Sequence, residues 1–245
     1  MIRFTHRKLQ KMPSIQTNER VSAIGKTRSG KSVAIRHLLW LAALATEART
    51  DAKAKWLKIF ILVTKREPIP LFRPKFFPGT TLSVVTRLDQ VLRASSRVVV
   101  FEPKPETKGP DLYARYFKML YDRTERTGRA AITYVDEMNA VTGGRANGGS
   151  KHFKLLYTEG GGMDIGAWAS VQDGVNLQRE FLSQAEHILA FPLKMPSDRK
   201  KLSEILDTKL PPRYPDKRGF YYASPSNETI YVPSIQHLTQ REVIL

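Results

Sequence analysis

The 245-residue sequence contains no cysteine, which excludes disulfide bonds and cysteine-ligated metal sites. Its five histidines form neither an H-E-x-x-H nor an H-x3-H pattern, which argues against a zinc site. The longest apolar run, residues 38–45, is far shorter than the ~20 residues that a membrane-spanning helix needs. The first residues also lack the apolar core of a signal peptide, so we expect a soluble protein without a transmembrane segment.

Acidic residues are scarce relative to basic ones. The chain carries 23 Asp and Glu against 40 Lys and Arg, a formal net charge of +17. Such an excess favours a polyanionic partner, because binding releases counterions and the field steers association. Charge alone leaves nucleic acid, anionic lipid and an ordinary basic protein open, with nucleic acid as the first candidate.

Short β-branched runs alternate with longer amphipathic stretches, which indicates an α/β fold with a mainly parallel sheet and helices on both faces. We expect one domain over residues 21–245, preceded by a basic N-terminal segment of residues 1–20. The expected strands are 21–24, 56–64, 82–85, 97–101, 131–135, 165–171 and 189–191, with a C-terminal β-hairpin over 220–232. The expected helices are 31–45, 88–94, 111–126 and 150–159.

A phosphate-binding motif follows the first expected strand. Gly25, Gly30, Lys31 and Ser32 satisfy G-x-x-x-x-G-K-S between a strand and a helix, the context that this Walker A motif, or P-loop, requires. Glycines let backbone N–H groups approach the phosphates, Lys31 reaches the β and γ oxygens, and the Ser32 hydroxyl ligates magnesium. ATP and Mg²⁺ are therefore the expected cofactors. The residues expected to bind the nucleotide are Gly25, Lys26, Thr27, Arg28, Ser29, Gly30, Lys31, Ser32 and Val33.

Two carboxylates follow the buried run ITYV. Asp136 and Glu137 should lie at the carboxyl edge of the sheet, where ligands bind in open α/β folds. We expect Asp136 to hold magnesium, as in a Walker B motif, and Glu137 to act as the general base on the attacking water. The pair resembles the ASCE division of P-loop enzymes, whereas kinases and GTPases usually lack this glutamate.

The segment GMDIGAWASVQD, which ends its apolar run at Gln172, and the following LSQAEHILAFPL resemble the FtsK/HerA superfamily of DNA-pumping ATPases. The small size and the C-terminal hairpin are most similar to genome-packaging ATPases of tailless double-stranded DNA viruses with an internal membrane. The resemblance covers about residues 21–232. It implies that Gln172 senses the γ-phosphate, and it implies a RecA-like or FtsK-like P-loop fold.

The resemblance also implies a homo-oligomeric ring, expected to be a hexamer, in which an arginine reaches the neighbouring subunit's nucleotide. By position this arginine is Arg199, with Arg126, Arg129 and Arg179 as competitors. The Gly-rich stretch 142–151 follows the carboxylates. Its basic residues Arg145 and Lys151 are candidates for DNA contact, although a mobile surface loop is an equally good interpretation.

The function implied is an ATPase motor that translocates double-stranded viral DNA into a preformed capsid. The expected partners are duplex DNA, further copies of the chain, and capsid or membrane proteins of the packaging vertex. The expected locations are the host cytoplasm and that vertex of the virion. Three alternatives stay open: a HerA/FtsK-like translocase or helicase, a nucleotide-dependent phage assembly ATPase, and a nucleotide kinase.

Overall fold

The computed structural model describes residues 15–47, 57–65, 70–142, 151–172, 179–216, 218–224 and 229–234. The strands of the described chain are β1 (Val21–Ile24), β2 (Lys58–Leu62), β3 (Leu82–Val85), β4 (Val98–Phe101), β5 (Ala131–Val135), β6 (Ile165–Val171), β7 (His187–Ala190), β8 (Phe220–Ala223) and β9 (Thr229–Val232). The α-helices are α1 (Lys31–Glu47), α2 (Leu88–Arg93), α3 (Pro110–Thr127), α4 (Met138–Thr142), α5 (Lys151–Glu159), α6 (Arg179–Ser183) and α7 (Pro196–Ile205).

The described strands form one sheet in the order β3-β4-β2-β5-β6-β1-β7-β8-β9. Strands β1 to β7 pair with one another in parallel, whereas β8 pairs antiparallel with β7 and β9 pairs antiparallel with β8. The predicted α/β class, with a mainly parallel sheet and a C-terminal hairpin, is confirmed. Strand β1 lies between β6 and β7. The phosphate-binding motif that follows β1 therefore lies near the middle of the edge that the carboxyl ends of the parallel strands form.

Two apolar layers enclose the sheet, one on each face. The first layer contains the buried side of α1 together with Phe72 and Phe77 from the proline-rich loop after β2. The second contains the apolar faces of α3, α5 and α7. Central strands such as β1, β5 and β6 are buried along their whole length, which explains their continuous apolar sequences.

Three described helices were not predicted. Helices α4 and α6 have five residues each, too few for an apolar periodicity to be recognised. Helix α7 begins with Pro196 at its first turn and carries only one buried apolar side chain, that of Leu202, so its hydrophobic pattern is weak. The loop predicted at 143–149 lies outside the described residues.

The polypeptide before β1 packs onto the domain from residue 15 onward. Ile15 is fully buried in the first apolar layer. The Glu19 carboxylate lies 2.7 Å from Nε2 of His187 on β7. Residues 1–14 of the expected basic segment lie outside the described chain, so the boundary at residue 20 stays a prediction. Among the described helices, none is long and apolar enough to span a bilayer.

Candidate nucleotide-binding site

The phosphate-binding loop is attached to the strands on both sides of β1. The Gly25 N–H donates to the Val171 carbonyl at the end of β6, with an N···O distance of 3.1 Å. The Lys26 N–H donates to the Pro192 carbonyl just beyond β7, at 3.0 Å. The first two residues of the loop are therefore anchored to the sheet.

Two glycines of this loop are required by geometry. A Cβ on Gly25 would lie 2.5 Å from the Cβ of Phe191, closer than real side-chain contacts allow. Gly30 has φ 109°, a backbone conformation that L-residues with a side chain rarely adopt. Phe191 packs against both glycines, with its backbone and Cβ next to Gly25 and its ring next to Gly30.

Lys31 begins α1 and is almost completely buried. Its ammonium donates to the Gly25 carbonyl and, at 2.8 Å, to the Lys26 carbonyl. These bonds hold the positive charge within the loop, where it can attract the negative charge of a bound phosphate group.

The Ser32 side chain is part of a network of polar side chains that extends into the sheet. The Tyr134 hydroxyl interacts with the Ser32 side chain and, at 2.8 Å, with Oγ of Ser170. Burial raises the pKa of the Tyr134 phenol, and the nearby Asp136 charge raises it further, so the phenol stays protonated. Tyr134, on β5, thus links Ser32, the predicted magnesium ligand on α1, to the strand that Asp136 directly follows.

Asp136 is fully buried directly after β5. Its Oδ1 accepts two hydrogen bonds from Thr64, one from the backbone N–H and one from the hydroxyl, both at 2.7 Å. Its Oδ2 has no hydrogen bond of good geometry to a described residue, although the Lys65 backbone N–H lies near enough to the carboxylate to favour the charged form. Burial raises the pKa of Asp136, while the Thr64 bonds lower it. A buried carboxylate oxygen left unpaired is costly, and a hard cation such as Mg²⁺ satisfies it, so the residues fit the predicted metal.

Glu137 offers a second carboxylate beside the first. Neither of its oxygens has a hydrogen bond of good geometry to a described residue, although the Gln172 backbone N–H lies near enough to favour the charged form. Burial raises the pKa of Glu137 to about 6, with a smaller contribution from Asp136 and opposing contributions from Lys65 and Lys31. A carboxyl group with a pKa near neutrality suits proton abstraction.

Gln172 connects this carboxylate pair to the phosphate loop. It follows β6, the strand between β5 and β1, and its Oε1 accepts a hydrogen bond from the Thr27 hydroxyl at 3.0 Å. The structure therefore brings the P-loop, Gln172, Asp136 and Glu137 to one edge of the sheet. Their roles in binding and catalysis stay predictions.

The structure does not bring Arg199 to this cluster. Its Nη1 donates to the carbonyls of Leu193 and Lys194, both at 3.2 Å, just beyond β7. No hydrogen bond or ion pair between described residues joins it to Lys31 or Glu137. Arg145 lies outside the described residues, and Lys151 is exposed at the first residue of α5.

Thr64 is a site residue that the sequence analysis missed. It follows β2, the strand that pairs with β5, and its side chain is buried against Asp136. A polar residue at the end of a buried apolar run was the available signal, similar to the signal that identified Asp136. Thr64 fixes one carboxylate oxygen and thereby leaves the other for a cation.

Changing Thr64 to Val removes the hydroxyl donor and preserves the shape and the backbone N–H. We expect the Mg²⁺ concentration that gives half-maximal ATP turnover to rise about tenfold, because Oδ1 loses one of its two fixing bonds. The measurement is turnover against Mg²⁺ concentration at saturating ATP. Thr64→Ser should restore the wild-type requirement, and an unchanged requirement in Thr64→Val would remove Thr64 from this role.

No protein-family model matches the sequence, and no curated protein matches it. Solved structures do match. The genome packaging NTPase from Sulfolobus turreted icosahedral virus 2, in complex with AMPPCP, has a TM-score of 0.64 and 16% identity, over 90% of this chain and 100% of that one. The DNA-packaging ATPase from Sulfolobus Turreted Icosahedral Virus gives 0.63 and 18%, over 90% and 99%.

A second group of similar structures comes from bacterial secretion. The cytoplasmic domain of the Thermomonospora curvata Type VII secretion ATPase EccC has a TM-score of 0.54 at 15% identity, over 88% of this chain and 25% of that chain. Both groups have a fold of the kind predicted from the sequence. The resemblance to FtsK/HerA-type P-loop ATPases, including viral packaging ATPases, is thereby confirmed for the fold.

Proposed function

We propose that this protein is a magnesium-dependent ATPase that moves double-stranded DNA, and that the DNA is a viral genome entering a preformed capsid. The observation that carries the enzymatic part is a set of carboxylate oxygens without a hydrogen bond to a described residue: Oδ2 of the buried Asp136 and both oxygens of the partly buried Glu137, beside a phosphate loop. Two such groups are costly for folding and are expected where they serve chemistry.

The nucleotide is held by the loop. Backbone N–H groups of residues 25–33 and the Lys31 ammonium bind the phosphates, with Lys31 at the β and γ oxygens. The Ser32 hydroxyl and the free Oδ2 of Asp136 would hold Mg²⁺. Held by these two residues, the ion would supply positive charge that offsets the phosphate charge and would make the γ-phosphorus a better electrophile.

Hydrolysis requires a group that accepts a proton from water. Glu137 is that group, because its carboxylate is adjacent to Asp136 and its pKa of about 6 leaves it mostly ionised at neutral pH. Gln172, held by Thr27, lies between this base and the loop and is positioned to report whether a γ-phosphate is present.

The choice of DNA as the moved substrate is supported by charge and by the similar structures. A formal charge of +17 favours a polyanion. Two of the similar structures are described as a genome packaging NTPase and a DNA-packaging ATPase. A further similar structure belongs to a secretion ATPase, so a polypeptide substrate is the alternative that an experiment has to separate.

Long linear duplex DNA should stimulate ATP turnover several-fold at low salt, and the stimulation should weaken as salt rises, because phosphate contacts release counterions. The measurement is phosphate release with and without DNA at several salt concentrations. A protein whose turnover is indifferent to DNA would contradict the proposal and shift weight to assembly or secretion functions.

The same assay tests the predicted DNA contacts. Changing Arg145 and Lys151 together to Ala should remove most of the stimulation and preserve DNA-independent turnover. The matched control changes Lys104 and Lys200, which are exposed and lie outside this stretch. Equal losses in both double variants would indicate general electrostatic attraction rather than a specific grip.

A further inference from the structure

The turn before β8, described at residues 214–216 and 218–219, lies beside the phosphate loop. Strand β8 is antiparallel to β7, with Tyr221 opposite Ala190, so the residues before β8 lie at the edge where β1 and β7 end. A Cβ built on Gly30 would lie 4.0 Å from the Cβ of Arg218. The Arg218 side chain therefore begins at the rim of the loop.

This turn is fixed by contacts on both sides of Arg218. The Tyr231 hydroxyl donates to Oδ2 of Asp216 at 2.9 Å and accepts the Asp216 N–H at 3.0 Å. The Gly219 N–H donates to the Asp216 carbonyl at 3.2 Å. A Cβ on Gly219 would lie only 2.0 Å from the Tyr231 hydroxyl oxygen, so the backbone there is pressed against the tyrosine.

An aromatic layer connects the turn to the loop. The Phe191 ring, which lies next to Gly30, stacks on Phe220 at 4.9 Å between ring centroids. Arg218 is two residues before Phe220, and its side chain is exposed without a hydrogen bond or ion pair to any described residue. The backbone at Arg218 is thus fixed, and the donors of its guanidinium have no partner among the described residues.

The strand order indicates which part of a bound nucleotide Arg218 would contact. Asp136, Glu137 and Gln172 follow β5 and β6, which lie on one side of β1. Strands β7 and β8 lie on the other side. A nucleotide whose γ-phosphate faces Glu137 directs its α-phosphate and nucleoside away from β5, toward β7 and β8.

We propose that Arg218 binds the nucleotide at its α-phosphate and nucleoside end. The inference rests on the proposed function, in that the ligand is ATP with its γ-phosphate at Glu137. A guanidinium there can form charge-assisted hydrogen bonds to an α-phosphate oxygen or stack on the face of the base. Both contacts are common to ATP and ADP, whereas contacts from Gln172 would distinguish them.

Arg218→Ala should weaken the binding of ATP and ADP by the same factor, about tenfold. Binding is measured by titration with fluorescent derivatives of both nucleotides, in a Glu137→Gln background so that ATP is not consumed. Arg218→Lys should lose less. Arg213→Ala, an equal change of charge at an exposed position of the same connection, should bind like the parent, and thermal unfolding should show all variants folded.

Unchanged affinities in Arg218→Ala would overturn the inference. A loss of affinity for ATP alone would also overturn it, because Arg218 would then contact the γ-phosphate. An equal loss in Arg213→Ala would overturn it as well, because the effect would then come from the removal of any positive charge. The test is independent of the DNA-moving function, because nucleotide binding needs no DNA. If DNA does not stimulate turnover but Arg218→Ala still weakens nucleotide binding, the proposed motor is contradicted and the Arg218 site is supported.

Discussion

Replacing Glu137 with Gln should lower ATP turnover by about a thousandfold while nucleotide affinity stays within about twofold. The amide preserves the size of the side chain and cannot accept the proton of the attacking water. Phosphate release measures turnover, and titration with a fluorescent nucleotide measures binding. Glu106→Gln, at an exposed glutamate, is the matched control and should retain full turnover.

The pH dependence of turnover tests the same residue independently. Because burial raises the pKa of Glu137 to about 6, turnover should fall as the pH decreases through 6 and the carboxylate becomes protonated. The residual turnover of Glu137→Gln should lack this dependence. Full turnover in the variant, or a wild-type profile that is flat between pH 5 and 7.5, would show that another group is the base.

Stability should change in the opposite sense to activity. The folded-state pKa of Glu137 lies above the ordinary value of 4.5, so the folded protein binds a proton more tightly than the unfolded chain does. The carboxyl group therefore lowers the free energy of unfolding as the pH rises from about 4.5 to about 6. Thermal unfolding above pH 7 should show Glu137→Gln to be at least as stable as the parent, so lost turnover will not reflect misfolding.

Replacing Arg199 with Ala should reduce turnover about a thousandfold if this arginine completes the site of a neighbouring subunit. Within one chain its Nη1 donates to the carbonyls of Leu193 and Lys194, and no hydrogen bond or ion pair between described residues joins it to Asp136 or Glu137. ATP affinity should be nearly unchanged. Lys200→Ala, at the adjacent exposed residue, is the control for charge.

Mixing the two inactive variants gives the sharper test. If Arg199 acts across a subunit boundary, Glu137→Gln and Arg199→Ala subunits together should recover part of the turnover, because some interfaces join an intact glutamate to an intact arginine. No recovery in assembled mixtures would place Arg199 within its own subunit's function or outside catalysis. Turnover of Arg199→Ala equal to the parent would remove it from the site altogether.

Much of the fold could be predicted from the sequence because the decisive signals are local. Strands β1, β3, β5 and β6 have the predicted bounds, since each is a short, mainly apolar run that is followed by a glycine or a polar residue. The P-loop and the Asp136–Glu137 pair are also contiguous in the sequence, so their types and spacing were visible without a structure.

The rest depended on contacts between distant residues. Strand β7 begins at His187 rather than at residue 189, because both ring nitrogens of that buried histidine are paired, one with Glu19 at 2.7 Å and the other with Tyr222 at 2.6 Å. Phe191 beneath the phosphate loop and Thr64 on Asp136 likewise owe their roles to partners elsewhere in the chain. No local pattern reports such partners.

The central position of β1 affects how the protein can fold during synthesis. Thr27 of the phosphate loop bonds to a residue 145 positions later, and Arg20, just before β1, bonds to one 166 positions later. Both strands that flank β1 therefore leave the ribosome long after it, and closing such long loops is slow. The phosphate loop is therefore synthesised early, whereas its hydrogen-bond partners on the flanking strands are synthesised late. A chain truncated before β7 would lack some of these partners, and we expect it to be unable to bind nucleotide.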